Sequence, residues 1–179
     1  MMPLNATDQL FLMRGKRTQP MHVGGLFLFD YPEGAGPKYM LELAQKLRSF
    51  DQPQKPFNLK PVAKFGKYYW AEDEMFDFDY HFRHSALPKP GRIRELLKLV
   101  SVKHSAVMDR ERPLWEFHLI EGLRGKQFAI YIKLHHALID GVAGKRMVMK
   151  MLTEDSGVID SPPIWAMHPK ARRKRIPPK

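Results

Sequence analysis

The 179-residue sequence has no cysteine, so disulfides, thiolate metal sites and cysteine nucleophiles are excluded, and an intracellular address is the default expectation. It has no apolar run close to the roughly 18 residues that a membrane-spanning helix requires. Its longest apolar stretches, Leu26–Phe29 and Phe128–Ile132, have strand length instead. Met1-Met2-Pro3-Leu4-Asn5 offers neither a basic flank nor an apolar core, so no secretory signal is expected. Also absent are a Gly-x-Ser-x-Gly nucleophile elbow, a Walker phosphate loop and any internal repeat. The lone Gly34-Ala35-Gly36 sits in turn chemistry, Glu33 to Pro37, without the strand-to-helix fingerprint of a phosphate loop.

What is present fits one globular domain with a real core: 44% of residues are hydrophobic and 27% charged. The net charge of +11 is unevenly spread. From Ser161 to Lys179 there are six basic residues (Lys170, Arg172, Arg173, Lys174, Arg175 and Lys179) and no acid. Taking those six from the 30 basic residues leaves 24 against 19 acidic, or +5 for the body. Such a terminal run reads first as a solvated segment and second as a contact for an anionic partner. No nucleic-acid-binding motif accompanies it, so nucleic acid is not an expected partner.

Hydrophobic periodicity divides the chain into alternating elements. A short helix is expected from Thr7-Asp8-Gln9, with Thr or Asp as its cap, and a strand from Met21 to Phe29. A helix follows from Tyr39 to Phe50, then a proline-interrupted stretch from Gln52 to Pro61. Lys67–Ala71 and Phe76–Phe82 read as aromatic strands. After Pro88-Lys89-Pro90-Gly91 the clearest helix carries Ile93, Leu96, Leu97, Val100, His104 and Val107 on one stripe. Leu114–Ile120 and Gln127–His135 read as strands joined by the turn Glu121–Gly125. A last helix after Asp140-Gly141 buries Met147, Val148, Met151 and Leu152, and past Thr153 a linker is expected. This order predicts an α/β layered domain with a mixed sheet.

Alternation in the strand from Gln127 is the most informative local pattern. Phe128, Ile130, Ile132 and Leu134 share one face, and extending the count puts His136 at the end of that buried row. Ala129, Tyr131, Lys133 and His135 take the other face. A buried imidazole stays neutral and can serve as a general base near pH 7, although a histidine ending a strand is more often structural. Asp140 can fold back across the turn to order the loop and orient the histidine, and Gly141 permits a backbone conformation or close approach closed to other residues. Metal chemistry is not expected: His135 and His136 diverge, and His81 and His84 follow a strand-like segment.

His135-His136-Ala137-Leu138-Ile139-Asp140-Gly141 resembles the His-His-x-x-x-Asp-Gly signature of the CoA-dependent acyltransferase superfamily, which includes chloramphenicol acetyltransferase and the condensation domains of peptide synthetases. Pro113-Leu114-Trp115, within Asp109–Glu116, resembles the Pro-Leu-Trp motif of bacterial wax ester synthase/acyl-CoA:diacylglycerol acyltransferases. Pro20–Gly25, Pro56-Phe57-Asn58 and Pro162-Pro163-Ile164-Trp165 look like that branch too, so the likeness runs over residues 1–165. The resemblance implies a chloramphenicol acetyltransferase-like two-layer α/β fold. It implies that His136 deprotonates a fatty alcohol or diacylglycerol hydroxyl, which attacks a long-chain acyl-CoA with no metal, no bound cofactor and no acyl-enzyme. His135 would support it, Asp140 would be structural and held by an arginine, Gly141 would shape the turn, and Pro113, Leu114 and Trp115 would support the fold or line the acyl channel.

Family members carry a second, similar domain, which is absent from these 179 residues. The expected organisation is therefore an N-terminal acyltransferase domain over 1–160 and a basic, proline-rich linker over 161–179, leading to a C-terminal half that completes the site. The expected location is cytoplasmic, with peripheral contact to the inner membrane or lipid inclusions compatible with the basic tail. Two other readings stay open: a condensation-type enzyme using carrier-bound acyl groups, and a noncatalytic lipid-surface module using that tail and the aromatics Tyr68, Tyr69 and Trp70.

Overall fold

Two sheets organise the chain, and the larger carries the histidine motif. The computed structural model describes residues 1–152 and 161–167. In chain order the elements are β1 (Met2–Pro3), α1 (Ala6–Arg14), β2 (His22–Asp30), α2 (Tyr39–Arg48), β3 (Leu59–Lys64), β4 (Lys67–Glu72), α3 (Phe78–His81), β5 (Phe82–Ala86), α4 (Ile93–Ser105), β6 (Trp115–Leu123), β7 (Gln127–His135) and α5 (Gly141–Met151). A short 3-10 helix, Ile164–Ala166, follows.

The larger sheet has the order β2-β7-β6-β5 and the smaller β1-β4-β3. β7 runs antiparallel to both its neighbours, while β5 runs parallel to β6. This is the expected mixed sheet. Alternation along β7 sorts the core: Phe128, Ile130, Ile132 and Leu134 pack with Met40 and Ala44 of α2, and with Met147 and Val148 of α5. On the opposite face Ala129 and Tyr131 meet Leu96 of α4.

Several local expectations are corrected. Asn5, not Thr7 or Asp8, caps α1, its side chain accepting the Asp8 N–H at 2.8 Å. The proline-rich stretch yields β3, whose pairing with β4 tolerates Pro61 because β3 is an edge strand. Phe76–Phe82 is not one strand: the Asp77 side chain accepts the Asp79 N–H and starts α3, and β5 begins only at Phe82. In α4, Leu96, Leu99 and Val100 face the sheet while Ile93 and Leu97 of the expected stripe are exposed, and Val107 lies beyond the helix. Gln127 to His135 and the helix after Asp140 stand as expected.

The linker expectation fails where it is described. Ile164 and Trp165 are buried in the main core, with the Trp165 indole N–H donating to the Phe50 carbonyl at 2.8 Å. The domain therefore extends past residue 160. The basic run from Lys170 to Lys179 lies outside the described residues.

Candidate active site

β7 ends at His135, and the chain there is held on both sides. The His135 N–H donates to the Leu114 carbonyl at 3.1 Å, and the His136 N–H to the Met21 carbonyl at 3.0 Å. Across β2 and β7, His22 stands opposite His135. The His135 ring is buried, and its Nδ1 accepts the Ala137 N–H at 3.1 Å. That bond requires an unprotonated Nδ1, so the proton of the neutral ring sits on Nε2. Burial lowers the His135 pKa to about 4, helped by the positive charge of Arg110 and by His22 and His136.

His136 does not continue the buried row. The strand gives way to a turn closed by the Leu138 N–H donating to the His135 carbonyl at 2.9 Å, so the alternation that would have buried His136 stops one residue short. His136 is half-exposed, and its ring stacks on Phe11 of α1 with centroids 5.2 Å apart and planes 27° apart. The burial expected of His136 belongs to His135. What His136 has is access, on a backbone fixed by β2.

Asp140 is the N-cap of α5, accepting the Ala143 N–H at 2.8 Å. It thus orders the turn by capping a helix. Among the described residues it has no arginine partner, and its hydrogen bond reaches no histidine. Gly141 has no left-handed φ, and a Cβ placed there would meet nothing within 4 Å. Neither the conformation nor the close approach expected of it is found.

The catalytic-domain model of the wax ester synthase/diacylglycerol acyltransferase family matches residues 4–178. The chain belongs to that family. It is 49% identical to the O-acyltransferase WSD of Acinetobacter baylyi, over 99% of this chain and 38% of that protein. It is 44% identical to the probable diacylglycerol O-acyltransferase tgs2 of Mycobacterium tuberculosis, over 97% of this chain and 38% of that one. The solved wax ester synthase/diacylglycerol acyltransferase from Marinobacter aquaeolei VT8 superposes with a TM-score of 0.88 at 55% identity, over 93% of this chain and 41% of that one. This establishes the α/β, CoA-dependent acyltransferase-like fold. The first condensation domain of the calcium-dependent antibiotic synthetase shares the fold alone, with a TM-score of 0.62 at 17% identity. The chain spans about two-fifths of the length of the relatives it matches.

In this family member all three residues of the Pro-Leu-Trp motif are buried. Leu114 packs with Leu4, Leu12, Met108 and Ala137, directly beneath the histidine turn. Trp115 donates its indole N–H to the Phe57 carbonyl at 2.8 Å and stacks on His81 at 4.6 Å. His81 in turn bonds the Trp115 carbonyl through Nδ1 at 2.8 Å. Pro113 is buried as well. Among the described residues no group of three or more potential ligands could hold a metal ion, and no helix is long and apolar enough to cross a membrane.

Several supporting residues carry no signature readable in advance. Arg110 donates from Nη2 to the Gly15 carbonyl at 2.6 Å, tying the end of α1, and with it Phe11, to the chain before β6. A Cβ on Gly15 would lie 2.9 Å from that guanidinium and 3.2 Å from the Phe11 carbonyl, so a larger residue here would push the arginine aside. On the His135 face, Lys133 is fully buried. Its ammonium donates to the Lys103 and Ala106 carbonyls, at 2.8 and 2.5 Å, and lies 3.5 Å from Glu116. His22 bonds the His104 carbonyl through Nε2 at 2.7 Å, and burial, with the Lys133 charge, lowers its pKa. One signal was available: a lysine standing inside the apolar run Ile130–Leu134.

Proposed function

We propose that this chain is the histidine-bearing part of an acyl-CoA-dependent O-acyltransferase that moves a long-chain acyl group to the hydroxyl of a fatty alcohol or diacylglycerol. The observation that carries the reading is the contrast between the two histidines. His135 is closed in, its Nδ1 committed to the Ala137 N–H, while His136 is accessible on a turn anchored to Met21 and oriented by Phe11. A general base must reach a substrate hydroxyl, and His136 has that access.

The imidazole of His136 takes the proton as the hydroxyl oxygen forms its bond to the thioester carbonyl carbon. The tetrahedral oxyanion collapses, the C–S bond breaks, and the departing thiolate recovers a proton from the imidazolium. No acyl-enzyme is formed. Asp140 keeps the turn in register by capping α5, and His135 holds the Ala137 end of the same turn. The long-chain substrates are supported by the names of the relatives, which speak of wax esters and diacylglycerol. The remainder of a longer protein would complete the site, since this chain covers about two-fifths of those relatives. The proposed location is cytoplasmic, at the surface of a membrane or lipid inclusion.

The test uses the full-length protein with palmitoyl-CoA and either hexadecanol or a diacylglycerol, reading free CoA and ester. Ester formation that falls at least a hundredfold in His136→Ala supports the reaction and the base. Activity retained in that variant, or no ester with either acceptor from a folded protein, overturns the reading. The acceptor turned over faster decides between wax ester and triacylglycerol.

A further inference from the structure

The β3–β4 hairpin ends in a tip that its own fold does not explain. Phe65 has a φ of 51° and Gly66 a φ of 72°. Glycine adopts that left-handed region freely, whereas a phenylalanine there is strained, and asparagine would suit the turn better. The Phe65 side chain has no core to fill: the residue is 88% exposed. The flanking residues Lys64 and Lys67 are cross-strand partners, so two like charges sit directly opposite each other. Both are exposed, and neither has a carboxylate partner among the described residues. The Lys64 ammonium lies 5.5 Å from the centre of the Phe65 ring. No acidic residue occurs between Lys60 and Ala71, and Lys60 itself is paired with Asp73 at the other end of the hairpin.

The exposed ring and the two facing lysines are unfavourable in water and favourable at one kind of surface. A phenylalanine ring on a rigid two-stranded ribbon can enter the boundary between headgroups and acyl chains. Two lysines beside it would meet lipid phosphates, which remove their mutual repulsion. We propose that the Lys64-Phe65-Gly66-Lys67 tip is a wedge that docks the protein on an anionic lipid surface. Tyr68, Tyr69 and Trp70, expected to be the exposed aromatics, are instead half-buried, and Tyr68 and Trp70 pack beside the Leu4–Leu12–Leu114 cluster. The aromatic available to a lipid is Phe65. The proposal stands apart from the chemistry of His136, since it concerns where the protein sits and not what it does there.

The experiment is co-sedimentation of the full-length protein with vesicles of phosphatidylcholine alone, and of phosphatidylcholine with one-third phosphatidylglycerol. Phe65→Asn should weaken binding to the anionic vesicles on the order of tenfold without lowering the melting temperature, because asparagine accepts the left-handed turn. Phe65→Trp should retain binding, and the pair Lys64→Gln with Lys67→Gln should lose the preference for anionic vesicles. His136→Ala should bind as the unsubstituted protein does. Unchanged vesicle binding in Phe65→Asn overturns the proposal. So does a melting temperature lowered by that substitution in the absence of lipid, which would mean that another part of the longer protein covers the tip.

Discussion

Trp165 stacks on Trp115 with ring centroids 5.4 Å apart and planes 18° apart, joining the last described segment to the first residue of β6. Its indole also meets Phe117 edge-on at 4.9 Å. A residue expected in a linker is thus part of the layer beneath the Pro-Leu-Trp motif. Trp165→Ala should remove about 3–5 kcal/mol of stability through the cavity left beside Trp115. Trp165→Phe keeps part of the ring contact but loses the bond to the Phe50 carbonyl and some buried volume, so it should cost less than the alanine variant, about 1–3 kcal/mol. Urea unfolding of the full-length protein followed by tryptophan fluorescence measures both; an unshifted midpoint in the alanine variant would place Trp165 outside the core.

His135 and His136 should respond differently to substitution. Asparagine can put an acceptor oxygen close to where Nδ1 of His135 receives the Ala137 N–H, whereas leucine cannot. His135→Asn should therefore keep several-fold more activity than His135→Leu, with the loss falling on kcat. His136→Asn has no base to offer and should be as inactive as His136→Ala. Equal activity in His135→Asn and His135→Leu would remove the turn-holding role. Appreciable activity in His136→Asn would remove its role as the base.

Strands β2, β6 and β7 and the three longer helices were legible because their periodicity is strong: Phe128 to Leu134 alternates, and Met40, Ala44 and Leu47 recur at helical spacing. The histidine pair was legible as a motif. Which histidine is buried was not, because strand alternation carries no mark of where the strand stops, and β7 stops at His135. Phe76 to Phe82 was misread for a related reason: Asp77 caps a four-residue helix inside an aromatic run that has β propensity throughout. Trp165 was lost because its partners Trp115 and Phe50 are distant in sequence. Proline and charge around it, read locally, signal a loop.

Lys133 and Glu116 form a buried pair whose partners are all accounted for. Burial works against charge on Glu116, but the His118 hydrogen bond at 2.9 Å and the Lys133 ammonium outweigh it and hold its carboxyl below the usual range. Lys133 also caps the carbonyls that end α4. Lys133→Met would leave Glu116 and those carbonyls without their cation, and should cost about 3–5 kcal/mol. Adding Glu116→Gln should restore part of that loss by removing the stranded charge. A double variant no more stable than Lys133→Met, compared by urea midpoints, would show that the cap on α4 and not the ion pair is what matters.

Acid should unfold the protein through its buried histidines. His81 and His135 both have pKa values lowered to about 4, in each case chiefly by burial, against an ordinary value of 6.5. Above pH 6.5 both are neutral whether the chain is folded or not, and their contribution does not change. As pH falls from 6.5 towards 4 the unfolded chain binds protons that the folded chain refuses, so stability declines through that window and the histidine contribution levels off below it. Each histidine adds a slope of about 1.4 kcal/mol per pH unit. The urea midpoint should therefore drop clearly between pH 7 and pH 5, above the range in which most carboxylates titrate. His81→Phe should lower the midpoint near pH 7 by losing the bond to the Trp115 carbonyl, but it should also flatten the dependence on pH by about one proton. A midpoint equal at pH 7 and pH 5 in the unsubstituted protein would mean that neither ring is held neutral by the fold.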